Sequence, residues 1–549
     1  MIARVAARSQ AWVLTSPAAR AGLLARAISA TAAGAPAWVA DACEAKGFAP
    51  GSAGHGEEWL SGPGLLIRNL RLLRSSLEDL AAGGKPRLPG PARVGPEGQL
   101  VARVFPAGMY DRLLVPGLVG EIWMRPGLST ADLQDSQAIA YAPGTRREGR
   151  VAVVLGAGNM ACLGPRDALY KLIVENCAVV LKTNPVNAYL RPHWEGALSP
   201  LIEHGVLAIV DGTSQDGSYL VGHPDVDEVH LTGSAATHDA IVFGAGHDPG
   251  SARQRPVLAK PITSELGSVS PVIVVPGPWS CSDLSFQAQT IASMLVHNSG
   301  FDCLAVRMLL TSGRWGLRSA LLDAVRQALA ETPTRLPYYP GAVERREALC
   351  DGHPTAERLG VGEHPWVMIP GLDCEDREDE CFTRESFCGA FGEVGLAGAD
   401  VAGFLDTAVA FCNEILWGSL AVTILVHPRT LRDQRARRAV GQAIAGLRYG
   451  SIAVNVPHAL SFVSTLNTWG AFPGHALSDI QSGRGVVGNT LMFSRAQKSV
   501  MRGPWRVRPK PIWFPSSRAT LPVSRRVTEL ETQPSMFKLP GLLADALRS

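Results

Sequence analysis

The chain has 549 residues, enough for about three to five ordinary structural units. Charged residues make up 18% and hydrophobic ones 46%, so a large core is available and a disordered chain is excluded. Lys+Arg and Asp+Glu number 52 and 49, and a net charge of +3 argues against a dedicated nucleic-acid binder. Residues 1–95 read as mainly helical: Leu66, Ile67, Leu70 and Leu73 recur at helical spacing with Arg68, Arg71 and Arg74 outside them. The Pro- and Gly-rich stretch Gly84–Gly95 reads as a linker. From residue 150 short apolar strands alternate with helix-like segments: Val151–Leu155, Ala168–Glu175, Ala178–Lys182, Leu198–Glu203, Val206–Val210, Asp227–Thr232 and Pro271–Val275. That alternation predicts a parallel sheet with right-handed crossovers and ligands at the carboxyl ends of its strands. A second α/β unit follows, with strands near Arg307–Thr311, Leu420–Val426 and Ile452–Val456. The last ~40 residues are Arg- and Pro-rich and end in the short apolar stretch Phe537–Leu547.

No apolar run approaches the ~18 residues of a membrane span, so none is expected. Ten cysteines are scattered without a paired framework, which reads as reduced and cytoplasmic. Cys374, Cys381 and Cys388 recur every seven residues but lack a CxxC pair or a His at ligand spacing, so no metal site is expected. Arginines precede the first acidic residue, Asp41, as in transit peptides, but arginine is favoured along the whole chain.

Leu155-Gly-Ala-Gly-Asn159 follows a strand like a dinucleotide fingerprint, yet the acidic residue expected about 20 positions on is missing, and that strand ends in Lys182. The ordered set of fragments is more specific. Asn159 is followed by Lys182, by Leu231-Thr-Gly-Ser234, by Glu265 in Glu-Leu-Gly-Ser-Val, and by Cys303 in Asn-Ser-Gly-Phe-Asp-Cys. Glu385 and Phe387 in Arg-Glu-Ser-Phe-Cys-Gly and then Tyr449–Asn455 complete it.

In this order the chain resembles the aldehyde dehydrogenase superfamily over roughly residues 100–505. Phe301 replaces a Gln of that family's catalytic loop, and Ser268, Val269, Cys388 and Gly389 are further departures. The Gly-Ala-Gly-Asn context is more like the branch of long-chain acyl reductases. The resemblance implies an α/β fold with a Rossmann-type cofactor domain, an α/β catalytic domain and a small β oligomerisation arm. The corresponding division is a helical region over 1–95 and a cofactor domain over 96–270, with 136–150 in the arm. A catalytic domain over 271–470, a return segment with the oligomerisation strand over 471–507, and an extension over 508–549 follow. The arm is expected to pair Ser136–Ala142 with the strand near Ser499–Val507, giving a homodimer or homotetramer. The N-terminal ~95 residues, an insertion near Phe243–Val257 and the C-terminal extension match the family poorly.

The resemblance also implies roles. Cys303 is the nucleophile that adds to the aldehyde carbon, its pKa lowered by a helix N-terminus or a nearby cation. Asn159 and the Cys303 N–H hold the oxyanion. Glu265 activates the water that hydrolyses the thioester, with a pKa raised by burial. Lys182, Gly233, Ser234, Glu385 and Phe387 bind NAD or NADP. Pro185, where NAD-preferring members often carry Glu, leaves NADP open, and His238 replaces a glycine of the phosphate turn. Two other readings stand beside the oxidation of an aldehyde to an acid: a CoA-linked acyl reductase or acylating dehydrogenase, and a non-catalytic scaffold of the same fold. The partner expected is a small-molecule aldehyde, with neither nucleic acid nor a membrane span.

Overall fold

The computed structural model describes all residues except 146–147, 245, 247–254 and 549. Most of the insertion anticipated at Phe243–Val257 lies outside the described residues. Among those described, the strands form two large sheets. The smaller runs Gly483–Arg484, Ile262–Leu266, Glu228–Gly233, Val151–Leu155, Ala178–Lys182 and Leu207–Val210, parallel except for the first. Val151–Leu155 is apolar throughout and Ala178–Leu181 likewise, and every residue of Ala178–Lys182 is buried. The second sheet has eleven strands. Its parallel centre is Ser451–Val454, Ala421–Leu425, Pro271–Val274, Met308–Ser312, Ala390–Leu396 and Trp366–Leu372.

The arm expected from Ser136–Ala142 and Ser499–Val507 is not what forms. Ala496–Arg502 lies inside this chain's own large sheet, parallel to Ser451–Val454 and antiparallel to Val119–Met124. Ser136–Ala142 supplies one isolated bridge, Gln137 to Phe493, and then a helical turn. Lys498 is anchored in that position. Its ammonium is buried and caps the end of the helix Gln434–Gly446, donating to the Ile444, Ala445 and Leu447 carbonyls at 3.1, 2.8 and 2.8 Å. The strands Leu100–Phe105 and Val119–Met124, expected in the cofactor domain, extend this same sheet beyond Ala496–Arg502.

The first 81 residues build helices at Ile2–Leu14, Pro17–Lys46, Ala53–Trp59 and Leu65–Ala81. Pro17–Lys46 is the one helix among the described residues long and apolar enough to cross a bilayer, at a mean hydropathy of 1.2. Its alanine-rich text, broken by Arg20 and Arg26, contains no uninterrupted apolar run of that length. Here Leu24, Ala27, Trp38 and Ala42 are buried against Leu66, Ile67, Leu70 and Leu73 of the helix Leu65–Ala81. Ser16 caps its start and Gly47, at φ 67°, ends it in the left-handed conformation that favours glycine.

Candidate active site

The Cys303 loop follows the helix Cys281–Val296. Asn298, Ser299 and Gly300 take φ of 49°, 59° and 82°, three consecutive left-handed residues that the surroundings must hold. A Cβ on Gly300 would come within 3.1 Å of the Gly389 Cα. Arg307 donates to the Gly300 carbonyl at 2.8 Å and to the Cys388 carbonyl at 2.6 Å, tying the loop to the next strand. The Asn298 amide donates to the Asn159 carbonyl and to Asp302, each at 3.0 Å. His297 pairs with Asp302 at 2.6 Å. Burial would depress His297, but the Glu57 and Asp302 carboxylates push it up to about 9.

Cys303 is half-buried, and its thiol donates to Glu265 Oε1 at 3.2 Å. Glu265 sits on Ile262–Leu266, between Gly483–Arg484 and Glu228–Gly233 in the smaller sheet, and is 3% exposed. Trp469 Nε1 donates to the same oxygen at 2.7 Å, while Glu265 Oε2 is buried without a partner. Burial, with Asp167 nearby, pushes Glu265 up to about 7. Burial and the Glu265 carboxylate push the Cys303 thiol well up as well. The expectation of a thiol lowered by a helix N-terminus or a cation is therefore corrected. Cys303 follows an irregular loop, and the group facing it is an acid, so the resting side chain is a thiol beside a base.

Asn159 lies in the turn after Val151–Leu155 and is buried. Its amide donates to the Phe301 carbonyl at 2.8 Å, which uses one of its two hydrogens and brings it over the Cys303 loop. The glycines before it serve close packing: a Cβ on Gly158 would lie 2.7 Å from Asn184 Oδ1.

The residues expected to bind cofactor divide into two groups. Lys182 ends its strand as anticipated, but its ammonium donates to the Thr183 and Gly212 carbonyls at 3.0 and 2.7 Å, and burial lowers its pKa. Gly233 and Ser234 are exposed at the end of Glu228–Gly233, where Ser234 caps the helix Ala235–Phe243. His238 points into the fold and contacts Asp239 at 3.0 Å, away from that exposed helix start. Glu385 and Phe387 stand on the other side. Burial pushes Glu385 up to about 7, opposed by Arg307, and its Oε1 is buried without a partner. A Cβ on Gly267 would fall 1.9 Å from Glu385 Oε2, so any larger residue there would displace the Glu385 carboxylate. Phe387 takes φ 41° and packs with Tyr339 and Phe301 at centroid distances of 4.9 and 5.8 Å. Phe301, in place of a polar Gln, thus joins an aromatic wall with Tyr338 between the Cys303 loop and Phe387.

Several functional residues escape a reading by motif. Lys46, buried at the end of the helix Pro17–Lys46, pairs with buried Glu58 at 2.7 Å. It also donates to Asn298 Oδ1 at 2.9 Å and to the Asn159 carbonyl at 3.2 Å. Glu57 accepts from the Asn298 N–H at 3.1 Å and pairs with Arg335 at 2.7 Å. The N-terminal region therefore holds the Cys303 loop directly. The adjacent acids Glu57 and Glu58, within the helix Ala53–Trp59, were the one sign of this in the sequence. Trp469 gave a weaker one, as an apolar residue near a Gly.

The aldehyde dehydrogenase family model matches residues 151–338. A geranial dehydrogenase of Castellaniella defragrans is 31% identical over 218 residues, 37% of this chain and 40% of that protein. The chain thus aligns with about two-fifths of that relative's length. Among solved structures, an NAD-dependent aldehyde dehydrogenase from Sinorhizobium meliloti superposes with a TM-score of 0.59 at 17% identity, covering 92% of this chain and 87% of that one. An NADP-dependent glyceraldehyde-3-phosphate dehydrogenase from Bacillus halodurans, solved with NADP, gives 0.58 at 14%, covering 91% and 90%. At these identities the superpositions establish the fold, which is α/β.

Proposed function

We propose that the chain is an aldehyde dehydrogenase, a reading supported by the family match over residues 151–338, and that it oxidises an aldehyde to a carboxylic acid with NAD or NADP and Cys303 as nucleophile. The observation that carries this reading is the Cys303 thiol donating to Glu265, an acid pushed up to about 7, at 3.2 Å. A thiol of high pKa is a poor nucleophile alone, and a base of near-neutral pKa in hydrogen-bond reach supplies the remedy. Glu265 takes the proton as sulfur bonds the aldehyde carbon. The oxygen left on that carbon is held by the Cys303 N–H and the second hydrogen of the Asn159 amide. Once the carbon is oxidised to a thioester on Cys303, Glu265 releases the first proton to solvent, deprotonates the attacking water and returns that proton to the departing sulfur, so the acid leaves with the thiol restored. Water supplies the acid's second oxygen, and the net reaction releases one proton.

The residues fit a nicotinamide dinucleotide. The unpartnered Glu385 Oε1 suits a ribose hydroxyl, and Phe387, packed on Tyr339, would offer its ring to the nicotinamide. The exposed Ser234 helix start suits the pyrophosphate. Bound NAD or NADP supplies the hydride acceptor. Lys182 reaches a ribose only by exchanging its two carbonyl partners.

Cys303 packs against an apolar cluster that includes Met160, Leu163 and Phe462. With the likeness to a geranial dehydrogenase, this makes long apolar aldehydes the first substrates to assay. The test is nicotinamide absorbance with an aldehyde panel, NAD or NADP, with and without CoA, and Cys303→Ala as control. CoA-independent reduction of NAD or NADP, lost in the variant, is expected. A strict CoA requirement would replace this reading with the acylating one. Cofactor binding with no turnover on any aldehyde would favour the scaffold.

A further inference from the structure

A second cluster of reactive side chains lies outside the site just described. His353 follows the helix Ala342–Gly352, Asp379 caps the short helix Glu380–Thr383, and Cys381 lies within that helix. The three come from two segments far apart along the chain. The spacing of Cys374, Cys381 and Cys388 shows no His partner for them, but the fold brings one from 28 positions upstream of Cys381.

His353 Nε2 is 3.2 and 3.3 Å from the two Asp379 oxygens and 3.8 Å from Cys381 Sγ. Its other nitrogen, Nδ1, lies 2.7 Å from the Leu349 carbonyl, an acceptor, so Nδ1 carries the hydrogen. In the neutral ring Nε2 then presents a lone pair to a carboxylate, a contact that either a proton on Nε2 or a cation between them makes favourable. A ring donor fixed by a backbone carbonyl is also the usual outer support of a metal-bound histidine.

The distances fit such an ion. With zinc bonds of about 2.3 Å to sulfur and 2.0–2.1 Å to nitrogen and oxygen, tetrahedral angles put N and S about 3.6 Å apart and N and O about 3.4 Å apart. The carboxylate and thiol are preorganised, because Asp379 Oδ1 accepts from the Cys381 N–H at 2.7 Å and leaves Oδ2 for a ligand bond. Cys381 is buried, while His353 and Asp379 are 14% and 11% exposed, enough for an ion and one water to enter.

We propose that His353, Asp379 and Cys381 form a zinc-type divalent metal site that clips the end of the helix Ala342–Gly352 to the segment carrying Glu385 and Phe387. Imidazole, carboxylate and thiolate together suit a borderline-soft ion and exclude magnesium or calcium, which take oxygen ligands. Binding forms the metal–sulfur bond and releases the Cys381 thiol proton to solvent, with water in the fourth position.

The test uses the full chain after chelator treatment, titrated with Co²⁺ as a visible stand-in and then with Zn²⁺. One equivalent per chain is expected, with a thiolate-to-cobalt charge-transfer band and the intense visible bands of four-coordinate cobalt, both abolished by Zn²⁺. Cys381→Ser should remove the charge-transfer band, and His353→Ala should weaken binding at least about tenfold. Cys303→Ser should leave both unchanged. Zn²⁺ should also raise the Tm of the wild-type chain and not that of Cys381→Ser. No cobalt band in the wild-type chain would overturn the proposal and leave a plain imidazolium–carboxylate pair. So would a band that survives Cys381→Ser, or one lost in Cys303→Ser.

Discussion

Replacing Glu265 by Gln separates the chemistry of the site from its stability. The wild-type carboxyl rises from an ordinary value of 4.5 to about 7 in the folded chain, first because it is buried and then because of Asp167. A folded-state pKa above the unfolded one means that the folded chain holds a proton the unfolded chain has released. Stability from this group is therefore complete below about 4.5 and is lost as pH rises to about 7. At about 1.4 kcal/mol per pH unit the full loss is about 3 kcal/mol, of which roughly 2.5 kcal/mol falls between pH 5 and pH 8. Glutamine has the same shape and can still accept from Trp469, but it never ionises. Glu265→Gln should therefore be more stable than wild type at pH 8, and the gap should shrink by about 2.5 kcal/mol at pH 5. Its turnover should fall about 10²–10⁴-fold. Urea unfolding of both chains at the two pH values, beside turnover with NAD or NADP, checks this. A stability gap that does not change with pH would refute the reasoning, because Glu265 would then ionise normally in the folded chain.

Other outcomes follow from neighbouring contacts. Activity should climb through about pH 7 as Glu265 ionises, and Trp469→Phe, which removes a donor at 2.7 Å, should move that limb up by about one pH unit. A pH–rate profile of both proteins measures it, and an unmoved limb would exclude Glu265 as the group observed. Lys46→Met strands the buried Glu58 carboxylate and should cost about 3 kcal/mol in chemical denaturation. A cost under about 1 kcal/mol would show that the pair is solvated. Gly267→Ala pushes a Cβ into Glu385, which it would approach to 1.9 Å. The KM for NAD or NADP should rise at least about tenfold while the Tm changes little, and an unchanged KM would take Glu385 out of the cofactor site.

Much of the smaller sheet was legible because strands buried on both faces must be continuously apolar, as Val151–Leu155 and Ala178–Leu181 are. The Cys303 loop was legible because Asn298 to Cys303 is a compact local pattern. What escaped depends on distance along the chain. Nothing near Lys46 in the sequence indicates that its ammonium will meet Asn298, 252 positions on. The strand Ala496–Arg502 misled for a different reason. The resemblance implies an oligomerisation strand near Ser499, yet Lys498 and Ser499 are buried in this chain's own sheet, where their polar groups find partners. The ionisation of Cys303 misled in the same way, since a motif names the nucleophile but not the acid that faces it.

The contact from Lys46 to the Asn159 carbonyl and the Asn298 side chain bears on how the chain folds during synthesis. During synthesis the helix bearing Lys46 leaves the ribosome about 250 residues before its partner loop, and a buried ammonium cannot settle until that loop arrives. The left-handed run at Asn298–Gly300 likewise has no local reason to persist until Glu57 and Lys46 are in place. Activity should therefore appear late and all at once in a refolding time course. A fragment cut to the family-like segment 151–338 would carry Asn159, Glu265 and Cys303 without the parts that set them.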